Sequence, residues 1–269
     1  MALIGTLTSG VSALRTFSKG LEVIGSNIAN VNTTAYKSSS TSFKDTFSNT
    51  LRAASTGSGD SAVQIGTGVQ IGGIMTNFAQ GSLSSTGKGT DLAVSGNGYF
   101  AVQNSAGVNY ATRDGSFHFD TSGNLVNNEG LSVLDSAGAA ITVNDYDQIS
   151  SFSIGKDGVV SAFYADPSLS YVSQTVGLLK IPDETKLMKQ GGNLYDYSST
   201  GAAALSATTS GPGTNGLGVI QSGALEMSNV DLTDQFAELI TTQRSFQAGS
   251  RLITVSDSVL EDIVNLKRS

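Results

Sequence analysis

The sequence predicts an α+β fold: N- and C-terminal α-helices forming a coiled-coil-like pair, with a central all-β domain of short antiparallel strands. Three observations carry this expectation. Leu7, Leu14, Leu21 and Ile28 fall seven apart near the start of the chain, and Leu232, Leu239, Phe246, Ile253 and Leu260 do the same near its end. Such a repeat keeps one apolar stripe facing a partner helix. Between the ends lie short apolar-alternating runs punctuated by Gly, Asn and Asp, the grammar of strands and turns. Two such stripes must find each other or copies of themselves, which points to assembly ahead of catalysis.

The first helix is expected over residues 3–30, its apolar positions recurring at spacings of three and four on one face. Gly10, Gly20 and Gly25 sit inside it, each costing roughly 1 kcal/mol against Ala. A helix so weakened is expected to form fully only when packed. The run from Asn30 to Thr34 ends it, because Asn accepts the left-handed conformation that closes helices. From Tyr36 to Gly73 the composition turns to Ser, Thr and Gly, with Phe43, Phe47 and Leu51 as one short amphipathic turn. Residues 54–68 read as a flexible or extended arm.

Strand signals begin near Val69. Residues 91–94 and 99–102 flank the turn 95–98, and residues 110–112 and 116–119 flank Arg113-Asp114-Gly115. Asp157-Gly158 separates residues 151–154 from 159–161, and Asp-Gly between alternating runs signals a hairpin. A strand over 176–181 is closed by Pro182, and residues 201–218 form a second loop-rich stretch. The last helix starts after Asn229 or Asp231, either a good N-cap, and ends at Lys267-Arg268, where the helix dipole favours positive charge. At 1.5 Å per residue it extends roughly 55 Å, more than a cap on a small β domain requires.

Bulk properties narrow the function. The 269 residues suffice for a packed core, and the net charge is −7 with only 14% charged residues. The fifteen basic residues are scattered, which argues against nucleic-acid or anionic-membrane partners. Without Cys, neither disulfides nor thiolate metal sites are available. The first residues lack a charged n-region and a cleavage site, and no apolar run reaches eighteen residues. Export by a dedicated route stays open.

Candidate chemistry is sparse. The stretch Gly81–Lys88 imitates a phosphate loop but has one residue too many between its glycines, and Gly89 stands where a magnesium-binding hydroxyl belongs. Gly66-Thr67-Gly68 and Gly96-Asn97-Gly98 have no helix after them and read as turns. His118, the one histidine, reads as a surface strand position. No Ser lies in a Gly-x-Ser-x-Gly elbow, and no carboxylate pair is marked as acid and base. Asp120–Asn124 lacks the ligands of a calcium loop and reads as a hairpin turn. No catalytic, cofactor or metal residue and no small-molecule substrate is therefore assigned. The competing readings are a β-domain adhesin with a closed helical bundle, and a hydrolase using His118.

Longer strings carry a resemblance. Ile24-Gly-Ser-Asn-Ile-Ala-Asn-Val-Asn-Thr-Thr-Ala-Tyr-Lys37 closely resembles the N-terminal signature of bacterial flagellar hook and basal-body rod proteins. Ser228–Leu232, Thr242–Gln247 and Val264–Arg268 are similar to that family's C-terminal helix, and Gly89–Phe100 and Tyr110–Phe117 to its β domain. Within the family, Thr76–Gly81 and the ending Val264–Arg268 resemble the hook protein. The chain length, and the lack of a large insertion after Thr142, resemble the distal rod protein. Ala35, where many relatives carry Gly, does not discriminate. The expectation taken forward is a hook subunit with a reduced outer domain, the distal rod protein being the alternative.

The resemblance implies a helical homopolymer forming a tube that transmits torque, exported by the flagellar type III apparatus without a cleaved signal peptide. It would lie in the hook or basal body, along the periplasmic and extracellular axial structure. Its partners would be further copies of itself, other axial proteins (rod, hook–filament junction, hook cap) and the export apparatus. Residues 1–35 and 229–269 would form the channel-lining helical domain, 36–73 and 217–228 a linking arm, and 74–216 the outer β domain. Leu7, Leu14, Leu21, Asn27, Ile28, Asn30, Leu232, Leu239, Phe246, Ile253 and Leu260 are the expected subunit-assembly residues.

Overall fold

The computed structural model describes residues 2–52, 63–143, 149–164, 172–198 and 209–268. The fold is α+β, a helix at each end of the chain and many short antiparallel strands between them. Two compact units emerge: residues 1–30, 38–77 and 230–269 form a helical unit, and residues 31–37 and 78–229 form a β unit. Most of the arm expected at 54–68 and part of the loop at 201–218 lie outside the described residues.

The helical unit consists of α1 (Ala2–Ala29), β1 (Ser39–Asp45), β2 (Ser48–Arg52), β3 (Val63–Gly66), β4 (Val69–Thr76) and α2 (Leu232–Arg268). Asn30 ends α1 with its backbone N–H and side-chain amide both donating to the Ser26 carbonyl, not through the left-handed conformation expected of it; positive φ in this segment falls instead on Ala35, at +55°. Asp231 caps α2, its carboxylate accepting from the Thr233 N–H at 2.8 Å. The Lys267 and Arg268 side chains lie outside the described set.

The region expected to hold only a short amphipathic turn is instead stranded. β1 pairs antiparallel with β4, Ser39 opposite Thr76 and Asp45 opposite Val69, and β2 pairs with β3. The β1–β4 ladder joins residues 24 to 37 positions apart and the β2–β3 ladder residues 11 to 18 apart, and the half-exposed, Ser/Thr-rich β1 lacks the strict alternation that sequence reading relies on.

The β unit runs β5 (Leu83–Ser85), β6 (Leu92–Ser95), β7 (Tyr99–Gln103), β8 (Asn109–Thr112), β9 (Phe117–Phe119), β10 (Leu125–Asn127) and β11 (Ser132–Val133). It continues with β12 (Ile149–Ile154), β13 (Val159–Tyr164), β14 (Val172–Thr175), β15 (Leu178–Leu179), β16 (Met188–Gly191), β17 (Leu194–Asp196), β18 (Thr209–Ser210), β19 (Val219–Ser222) and β20 (Ala224–Glu226). The main sheet has the order β16-β17-β8-β7-β11-β10-β9, and β15 joins it by pairing with β7. Successive residues of β7 point to opposite faces. Phe100 and Val102 enter a core with Leu92, Leu125, Ile141 and Ile220, while Tyr99 enters a second one with Leu179 and Tyr195.

Asp157-Gly158 turns the β12–β13 hairpin as expected, Ile154 opposite Val160, with Gly158 at φ +76°. Residues 120–124 likewise turn the β9–β10 hairpin. Asp114-Gly115 does not turn a hairpin: β8 pairs with β7 and β17, and β9 with β10. The glycine has another cause. Its carbonyl accepts from the Leu92 N–H, and a Cβ there would sit 1.6 Å from the Leu92 carbonyl oxygen. Close backbone approach, not turn geometry, requires it. Residues 95–98 do turn, but β6 pairs with β19 rather than β7. The strand expected over 176–181 shrinks to β15, with Val176 forming an isolated bridge to Asp135.

Candidate functional site

In the helical unit α1 and α2 pack antiparallel. The register follows from four approaches: Thr6 Oγ1 lies 3.4 Å from Ser256 Oγ, a Cβ on Gly10 would meet Ile253 at 3.0 Å, a Cβ on Gly249 would meet Leu14 at 3.4 Å, and Asn27 donates to Gln235 at 2.8 Å. Leu7, Leu14, Leu21 and Ile28 lie half-buried, as do Leu239, Phe246, Ile253 and Leu260. Leu232, at the first turn of α2, is 39% exposed.

The heptad leucines tell only half of the seam. The positions alternating with them on α2 are Gln235, Thr242, Gly249 and Ser256, of which the last three are buried. Small residues at these positions, facing Gly10 and Gly20 of α1, let the two backbones approach closely. Two of the glycines that weaken α1 as an isolated helix, Gly10 and Gly20, are thus ones its packing uses, whereas Gly25 faces open space. Asn27 is buried and its side chain also donates to the Ser39 carbonyl at 2.7 Å and accepts from the Ser39 N–H at 3.0 Å, tying α1 to both β1 and α2. Asn30 is half-buried at the helix end.

The β unit contains a second constellation. Lys37, Arg113 and Glu226 are 1%, 3% and 1% exposed. Lys37 Nζ donates to Glu226 Oε1 at 2.6 Å and to the Ala79 carbonyl at 2.8 Å. Glu226 also accepts from the Gly81 N–H at 2.9 Å and from Arg113 Nη1 at 3.4 Å. The Arg113 guanidinium lies 4.8 Å over the Tyr99 ring, and the Tyr99 hydroxyl donates to Glu184. Two cations around one carboxylate, with Arg113 Nε buried and unpartnered, make an ion knot rather than a balanced pair. Burial pulls Lys37 below the usual lysine range, against the hydrogen bond and charge of Glu226.

The same place secures the segment that follows α1. The Ala35 N–H donates to the Glu226 carbonyl, the Asn229 N–H to the Tyr36 carbonyl, and Asn193 to the Thr34 carbonyl. Ala35 is fully buried with φ +55°. Residues 31–37 are therefore a strap through the β unit, held by its last strand.

Nothing in this geometry is arranged for bond chemistry. His118 is exposed on β9. No group of three or more metal-ligating side chains occurs among the described residues. Within the same set no helix is long and apolar enough to cross a membrane. Sequence reading missed the knot, although Lys37 and Arg113 lie inside the strings quoted above. The available signal was two lone charges, Lys37 and Glu226, set among apolar and small residues in a chain with few charges, whereas Arg113 stands beside Asp114.

Three family models match the chain: "Flagella basal body rod protein" at residues 7–37, "Flagellar hook protein FlgE/F/G D1 domain" at 93–162, and "Flagellar basal body rod FlgEFG protein C-terminal" at 221–266. The flagellar basal-body rod protein FlgG of Bacillus subtilis is 42% identical over 99% of this chain and 100% of its own length. The FlgG protein of Caulobacter vibrioides is 32% identical over 96% of this chain and 100% of its own. The rod protein FlgF of the same organism is 33% identical over 91% of this chain and 90% of its own. The first and third model matches meet the helix pair and the knot: one ends at Lys37, the other includes Glu226. The chain therefore belongs to the bacterial flagellar hook and basal-body rod protein family, as a structural axial subunit and not an enzyme.

Proposed function

We propose that this protein is the distal rod subunit of the flagellar basal body, polymerising into a straight tube that carries torque. One observation carries the reading: the 42% identity to a basal-body rod protein runs end to end in both chains, leaving no space for an inserted outer domain. The hook reading, taken from Thr76–Gly81 and the ending Val264–Arg268, rests on shorter strings and becomes the second choice. The helical unit supports polymerisation, since a helix pair with glycine contacts on one side and exposed apolar residues on others is completed by neighbours.

On this reading Leu7, Leu14, Leu21, Asn27, Ile28, Asn30, Leu232, Leu239, Phe246, Ile253 and Leu260 order the helices for assembly. The expected boundaries shift with the compact units: residues 1–30 and 230–269 line the channel, the strands of 38–77 link neighbouring copies, and residues 78–229 with the strap 31–37 form the outer β unit, because Ala35 and Lys37 are held by Glu226. Export proceeds through the flagellar type III apparatus to a periplasmic site, next to other axial proteins. Electron microscopy of tubes formed by the purified chain tests the assignment: straight tubes support the rod, and curved, flexible tubes overturn it in favour of the hook. Deleting about fourteen residues from either end, roughly four helical turns, should abolish tubes; a closed oligomer surviving that deletion would favour the adhesin reading.

A further inference from the structure

Among the described residues, the helical unit carries two complementary surfaces that are left uncovered. One is a groove of about 680 Å³ between α1 and β4, lined by Leu7, Val11, Val69 and Ile71 together with Arg15 and Lys19. The other is a band on α2: Leu252, Val255, Val259 and Ile263 recur at three- and four-residue spacing and remain 59%, 60%, 40% and 47% exposed. At 3.6 residues per turn Leu252, Val255 and Val259 lie roughly a third of a turn from the Leu239–Leu260 seam, on a face turned from α1, while Ile263, seven residues after Ser256, borders both. Asp262 flanks the band.

We propose that the α1–β4 groove of one copy receives the Leu252–Ile263 band of the next. This deepens the polymer reading above and rests on it. Three observations select a second copy as the occupant. The groove lies on the side of α1 away from the residues that meet α2, so the same chain's band cannot reach it without leaving the seam. Apolar lining meets apolar band, and the groove's Arg15 and Lys19 meet the band's Asp262. Finally, the two surfaces differ, so the contact is head-to-tail and repeats without closing, which yields a helical polymer rather than a dimer.

The chain has no cysteine, which makes a direct test clean. Val11→Cys and Val259→Cys would be made in separate full-length chains, mixed, polymerised and treated with a short bifunctional maleimide. Tubes should give on the order of tenfold more dimer-mass product than the same mixture held monomeric, because assembly raises the local concentration of the paired sites. Tubes that form normally without that product overturn the groove assignment and leave the polymer reading standing. Failure of the unsubstituted chain to polymerise sinks both. If either cysteine variant does not assemble, Arg15→Glu and Asp262→Lys decide. Each alone should lower tube yield and the double variant should recover it; a double variant no better than the worse single one overturns the proposal.

Discussion

The β unit and the helical unit place their apolar residues in opposite ways. In the β unit, Leu92, Phe100, Leu125, Ile141, Leu178 and Ile220 are all fully buried. In the helical unit, the fully or nearly fully buried apolar side chains among the described residues reduce to Ile24, while Phe236, Ile240, Leu252, Val255 and Ile263 are exposed by about half or more. Short strands packed on both faces satisfy themselves inside one chain. A two-helix pair has too little surface facing inward to bury both helices, so it is finished by other chains. The lesson is a division of labour: one unit is complete in the monomer and the other is an unfinished interface.

Perturbations of the β unit should therefore register in the monomer, and those of the helical unit in the tube. The largest expected effect is Glu226→Gln, which leaves Lys37 and Arg113 as buried cations without their carboxylate. It should cost about 3–5 kcal/mol in urea unfolding of the β unit; a loss below about 1 kcal/mol would mean the knot does not hold that unit together.

Leu125→Ala should cost about 2–5 kcal/mol in the same assay, whereas Leu252→Ala should change monomer stability by less than about 0.5 kcal/mol while lowering tube yield. Equal costs in the monomer would erase the contrast between the two units.

Alkaline pH gives the next effect. Burial raises the Tyr99 and Tyr195 hydroxyls above their ordinary value of 10.0, with Glu184 adding at Tyr99 and Tyr36 and Glu226 at Tyr195. A raised folded pKa means the stabilisation is complete below the unfolded value and is lost as pH climbs past it. Lys37, lowered from 10.5, acts in the opposite sense and offsets part of the loss, its burial penalty fading as pH rises toward that value. Urea midpoints of the β unit should fall between about pH 9 and about pH 11.5, and Tyr99→Phe should flatten the fall; an unchanged slope would exclude Tyr99 as a source.

The smallest effect separates two glycines of α1. Gly25 has open space where a Cβ would go, so Gly25→Ala should add roughly 1 kcal/mol of helix stability, visible as a stronger 222 nm signal. At Gly10 the Cβ would press on Ile253 at 3.0 Å, so Gly10→Ala should gain less or lose. Identical gains would show that the seam is not closely packed.

The helices were legible because period and caps are local properties: Asn30 and Asp231 stand at the ends they were expected to mark. Hairpins were legible where the turn joins neighbouring strands, as at Asp157-Gly158. Asp114-Gly115 misled because the same dipeptide answers a different demand, the close pass of the Leu92 backbone. β4 was legible from Val69 onward, but β1 was not, because a polar, half-exposed strand carries little alternation and its pairing with β4 is long-range. The heptad leucines revealed the seam's apolar half, but not the small residues that set how closely the helices approach.

Sequence alone determined the α+β class, the helix ends and the family, and through the family the structural character, because these rest on local periodicity and on strings of neighbouring residues. Tertiary structure alone decided the remainder: that Lys37, Arg113 and Glu226 meet, that residues 31–37 are a strap within the β unit, and that a groove lies between α1 and β4. Charges separated by more than a hundred positions leave no mark on one another in the sequence, since only the folded chain brings them within hydrogen-bonding distance and out of water.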